Sequence, residues 1–77
     1  MTLPPEITKA ARTLLGWNQK RLSAESGVYL GSISRHESGA GIRPHNVVKI
    51  IDAFEEAGLE FLFKDEKIIG FARKVEF

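Results

Sequence analysis

The side chains of this 77-residue chain that could do chemistry are two histidines, a set of serines and eleven lysines and arginines. Ser23, Ser26, Ser32, Ser34 and Ser38 lack a plausible constellation of base and orienting acid to activate them, so nucleophilic catalysis has little support. The chain reads as a binding protein and not an enzyme. His36 and His45 stand apart, without a cysteine or a carboxylate at ligand spacing, so no metal and no other cofactor is expected. The absence of cysteine also excludes a disulfide scaffold. What remains is charge, and its distribution is uneven. Residues 1–50 carry seven basic residues against Glu6, Glu25 and Glu37, whereas residues 51–77 carry four against seven acids. A basic first two-thirds joined to an acidic last third is what a one-sided nucleic-acid-binding surface produces.

Such a surface needs elements to hold it, and the chain has room for one small domain. Its 43% hydrophobic and 27% charged content is that of a folded globular protein. No apolar run approaches the ~20 residues that span a bilayer, and the first residues lack the pattern of a signal peptide. A cytoplasmic location with no membrane partner is therefore expected.

Ile7, Ala10, Ala11, Leu14 and Leu15 recur at helical spacing, which predicts a helix over 5–15, entered through Pro4-Pro5 and ended by Gly16. Asn18 is placed to cap a second helix over 19–26, anchored by Leu22 and closed by Gly27. A third helix is expected over 30–38 with Ile33 facing inward. Pro44 opens a fourth, with a stripe of Val47, Val48, Ile50, Ile51 and Phe54, ended by Gly58. Trp17 is expected to pack on the first or fourth helix, and His36 to be a partly buried, hydrogen-bonded histidine.

Beyond Gly58 the period changes to two. Leu59, Phe61 and Phe63 alternate with Glu60, Leu62 and Lys64, and Ile69, Phe71, Val75 and Phe77 continue the alternation after a break at Asp65-Glu66-Lys67. A three-residue loop would pair Phe63 with Ile69 and Phe61 with Phe71, gathering the large apolar side chains on one face. A two-residue loop would pair Phe63 with Ile68 and scatter them, so the longer loop is expected. The fold class is thus mainly α: four or five helices over 1–58, then a β-hairpin or strand extension over 59–77. That extension is a candidate dimerisation element.

The segment from Asn18 to Gly39 resembles the Xre and lambdoid-repressor family of helix-turn-helix domains, and the likeness extends over about 7–61. Its elements are Gln19 opening the second helix, Leu22, Gly27 in the turn, Ile33-Ser34-Arg35-x-Glu37-Ser38-Gly39, and Gly41-Ile42-Arg43-Pro44. The resemblance implies a lambda-repressor-like fold whose third helix enters the major groove of duplex DNA. It places base-edge contacts at Leu30, Gly31 and Arg35, with Ser32 and Ser34 nearby. It also sets Gln19 as a phosphate-binding residue and Arg43 as one that reaches phosphate or the minor groove. Asn18, Lys20 and Tyr29 complete the expected DNA-binding set.

The chain departs from that family where it matters for reading sequence. Leu30 and Gly31 stand where polar residues are usual; leucine could touch a thymine methyl, whereas glycine reads nothing, which leaves Arg35 and DNA shape. Lys20 and Arg21 put positive charge on a positive helix end, at a cost of roughly 0.3–1 kcal/mol each, understandable if phosphates lie opposite. Tyr29 could meet the sugar-phosphate backbone or a partner. The expected function is a sequence-specific transcriptional regulator acting as a homodimer on an inverted repeat. The alternative is a protein-binding antiactivator or antitoxin-like module that grips a regulatory protein partner through the same surface.

Overall fold

The computed structural model describes residues 1–75 and contains, in chain order, α1 (Pro5–Leu15), α2 (Gln19–Ser26), α3 (Leu30–Glu37), α4 (Pro44–Glu56), β1 (Leu59–Lys64) and β2 (Lys67–Arg73). Pro5 at the first turn of α1 removes an amide that would have had no partner, and Gly16 ends the helix in the left-handed conformation at φ 71°. Asn18 caps α2 by accepting a hydrogen bond from the Arg21 amide at 2.8 Å. The third helix stops at Glu37, one residue short of the expected end, and Ser38 is its cap.

Leu22, Val28, Ile33, Ile50, Phe54, Leu59 and Ile68 fill a single core that runs from the helices into the hairpin. An aromatic ladder spans the same distance: Trp17 stacks on Phe54 at 5.8 Å, Phe54 meets Phe61 at 5.9 Å, and Phe61 meets Phe71 at 5.9 Å. Trp17 therefore packs on α4, one of its two expected partners. The apolar stripes are narrower than the sequence suggests. Ala10 and Leu14 of α1 and Val48 of α4 lie outside, while Thr8 and Ala53 are buried.

The hairpin corrects the expected loop. Asp65 and Glu66 alone form the turn, so Lys64 faces Lys67 and Phe63 faces Ile68, not Ile69. The register then shifts between Leu62 and Phe63, and Ile69 is the extra residue of a bulge, 53% exposed. That bulge restores the Phe61–Phe71 pair with the shorter loop, while Phe63 stays about half exposed. Ile68 takes the buried place foreseen for Ile69. The alternation expected at Val75 does not continue the strand, which ends at Arg73; Phe77 lies outside the described residues. Thr2 adds a short parallel bridge at Lys67, its amide donating to the Glu66 carbonyl and its carbonyl accepting from Ile68.

Asp65 and Glu66 both hold positive φ, 50° and 65°, the conformation of a two-residue hairpin turn that glycine adopts without steric cost. Glu66→Gly is expected to stabilise the domain by about 1 kcal/mol. Urea unfolding would show this as a raised midpoint; an unchanged or lowered midpoint would contradict it.

Candidate nucleic-acid interface

The turn between α2 and α3 is fixed by short local bonds. Gly27 takes φ 75°, Ser23 Oγ donates to the Val28 carbonyl at 2.6 Å, and the Val28 amide donates to Ser26 Oγ at 3.1 Å. Val28 is buried, so the turn is pinned to the core and α3 leaves it in a defined direction.

Within α3, at ~100° per residue, Ile33, His36 and Glu37 share the inner side and all three are buried. The outer arc runs Leu30, Ser34, Gly31, Arg35, Ser32, all of them half-buried or exposed. Four of the expected DNA-binding residues, Asn18, Gln19, Lys20 and Leu30, line one shallow groove beside this arc together with Arg12. On the other side, Ser32, Arg35 and Arg43 line a cleft of about 100 Å³ with Gly41, Ile42 and Asn46, where α4 begins. Tyr29 projects at the head of α3, 74% exposed, and its ring lies over Gly31. Ser34 is exposed between the two grooves. Asn46 was not foreseen; its place three residues beyond Arg43 on a helix opened by Pro44 is the signal for it.

The inner side of α3 holds what the sequence reading missed. Glu37 accepts two bonds from the Arg12 guanidinium, from Nε at 2.7 Å and Nη2 at 2.6 Å, while Arg12 Nη1 donates to the Trp17 carbonyl at 2.9 Å. Gln19 Nε2 donates to the same carboxylate at 3.2 Å. One buried acid thereby ties α1, α2 and α3 together and holds the Gln19 amide at the edge of the groove. Burial alone would raise the Glu37 carboxyl, but the bonds from Arg12 and Gln19, with the charges of Arg12 and His36, more than offset it and bring it below the usual range. His36 is 1% exposed and shares a 2.8 Å hydrogen bond with Thr8 Oγ1, as its expected partly buried and bonded role requires. Burial pushes its pKa down, against the opposing pull of Glu37.

These pairs also redraw the charge. Arg12 belongs to the core of the domain and Arg21 is engaged within the chain. Arg21 Nε donates to Glu25 at 2.7 Å, and its guanidinium lies 5.2 Å from the Trp17 ring centre. Phosphates are therefore not needed to explain Arg21. Lys20, Arg35 and Arg43 enter no ion pair among the described residues; Arg35 lies on the outer arc, and Lys20 and Arg43 line the grooves to either side.

A family model described as helix-turn-helix matches residues 9–61, from within α1 to the middle of β1. The chain belongs to the Xre and lambda-repressor-like helix-turn-helix family. No curated protein matches the chain. The domain is a helix-turn-helix DNA-binding domain of the kind found in regulators. Among the described residues no helix is long and apolar enough to cross a membrane.

Proposed function

We propose that the chain is a sequence-specific transcriptional regulator of Xre type that binds duplex DNA as a dimer on an inverted repeat. One observation carries this reading: three cations that enter no ion pair among the described residues stand in two grooves at the outward arc of α3, Arg35 on it and Lys20 and Arg43 to either side. With α3 in the major groove, Arg35 would face base edges, where its fork bonds bidentately to guanine. Lys20 and Gln19 would lie along the phosphates on one side. Arg43, Asn46 and the start of α4 would lie along the phosphates on the other.

A single domain of this size makes few base contacts, and a two-fold pair doubles them. The hairpin suits such a pair. Among the described residues β1 has β2 as its one strand neighbour, and Leu62, Phe63 and Ile69 are about half exposed. Sedimentation should show a dimer; a monomer at high concentration would remove that part of the proposal.

The DNA reading is tested by selecting duplexes from a randomised library and measuring Kd by gel shift at several salt concentrations. With two phosphate-facing cations per protomer, log K is expected to fall against log salt with a slope of roughly −2 per protomer. No binding at low salt would overturn the reading and turn attention to a protein partner, for which exposed Tyr29 and half-buried Leu30 would be the contact surface.

A further inference from the structure

Gly31 lies at the centre of the outer arc of α3, the place from which a side chain would project farthest into a groove. It has none, yet the place is filled. A Cβ built on Gly31 would lie 2.5 Å from Cε2 of Tyr29, 3.1 Å from Cδ2 and 3.3 Å from Cζ. The Tyr29 ring therefore occupies the volume that any side chain at position 31 would need, while the residue stays 74% exposed. Glycine at 31 is what permits the ring to lie there.

We propose that Tyr29, laid over the Gly31 backbone, is the specificity-determining group at the centre of the recognition surface, and that its ring reads a thymine 5-methyl group. This rests on the reading of the chain as a DNA-binding protein. The ring presents carbon edges where polar side chains would otherwise project, and half-buried Leu30 adds to the same apolar surface. In the major groove the 5-methyl of thymine is the one apolar group a base pair offers. Arg35, one helical turn beyond Gly31, supplies the polar contact beside it, so the pair would favour a guanine close to a thymine.

The test uses a duplex selected by the full chain, with each thymine replaced in turn by deoxyuridine, which deletes only the methyl. At one position per half-site the wild-type chain should lose about fourfold in affinity, the worth of one buried methyl. Tyr29→Phe should keep that penalty, since the ring and not the hydroxyl reads the base. Tyr29→Ala should abolish it. Gly31→Ala should abolish it too, because the added methyl displaces the ring, and in the Tyr29→Ala background Gly31→Ala should change nothing. Tyr29 is exposed and Gly31 is covered by its ring, and alanine favours helix over glycine, so the variants should melt at or near the wild-type temperature. In the folded protein, ring-current shifts at the Gly31 α-protons should vanish in Tyr29→Ala.

A Tyr29→Ala or Gly31→Ala protein that still discriminates thymine from deoxyuridine overturns the inference. So does a uniform loss on every duplex, with Tyr29→Phe as weak as Tyr29→Ala, which would place the hydroxyl on phosphate. Failure of the wild-type chain to select any duplex would instead overturn the reading beneath it.

Discussion

Glu37→Ala is expected to destabilise the domain by about 3–5 kcal/mol, the cost of removing one partner from a buried ion pair. Native domains hold only about 5–15 kcal/mol in total, and a chain of this length belongs near the low end. The variant should therefore be largely unfolded or close to it. The size of the effect follows from geometry. The Glu37 side chain is 2% exposed and that of Arg12 16%, so deleting the carboxylate strands a guanidinium where little water reaches it. It also leaves Gln19 without its acceptor and unties α2 from α3. Replacing both charges, as Arg12→Met with Glu37→Leu, should recover much of the loss, because two apolar side chains leave no buried charge unpaired, although Gln19 and the Trp17 carbonyl still lose a partner. Urea unfolding of the two single variants and the double variant measures this. A Glu37→Ala midpoint close to the wild type would show that the pair contributes little.

Two groups in this cluster make stability depend on pH, and both act in the same direction. Burial holds His36 neutral in the native state below its ordinary value of about 6.5. As pH falls through that value the unfolded chain takes up the proton first, so stability declines until the native pKa is reached. Glu37 is held below the usual carboxylate range, so its contribution is full above that range and is lost as pH falls through the native pKa. Acid unfolding should thus begin near the histidine range and steepen below the carboxylate range. His36→Asn should remove the first phase and Glu37→Gln the second.

The helices were legible because periodicity and punctuation agreed: Pro5 and Gly16, Asn18 and Gly27, Pro44 and Gly58 bracket α1, α2 and α4. The hairpin was legible as a pairing of Phe61 with Phe71 but not as a turn. A bulge absorbs one residue, so loop length and facing pattern become independent, and the alternation alone could not separate them. The Arg12–Glu37 pair was hidden for a different reason. Its residues are 25 positions apart, and an acid within a helix-turn-helix pattern carries no mark of being buried. Arg12 is one of the seven basic residues of the first fifty, and charge is exposed by default, so nothing in the sequence sets it apart from the surface cations. The Tyr29–Gly31 contact was hidden likewise, since a glycine with no side chain to offer a base is explained only once its neighbour's ring is seen above it.

Arg35→Ala and Arg43→Ala are expected to weaken DNA binding in different ways, and the difference carries the functional reading. Both side chains are exposed, both line the cleft between α3 and α4, and neither has an ion-pair partner among the described residues. Neither substitution should therefore lower stability appreciably. Arg35 lies on the outer arc, where its fork can reach a guanine edge, and a good bidentate contact is worth about 1–3 kcal/mol of discrimination. Arg35→Ala should cost roughly 5- to 150-fold on the selected duplex and almost nothing on a duplex with that guanine replaced. Arg43 precedes the first residue of α4 beside Asn46, at the edge of the arc, where a phosphate is the available partner. Arg43→Ala should weaken every duplex alike and reduce the salt slope by about 1 per protomer. Gel shifts of both variants on matched and altered duplexes, each over a salt series, separate the two roles. If Arg35→Ala instead weakened all duplexes equally with a reduced salt slope, α3 would be sitting on the backbone and its outer arc would not be reading bases.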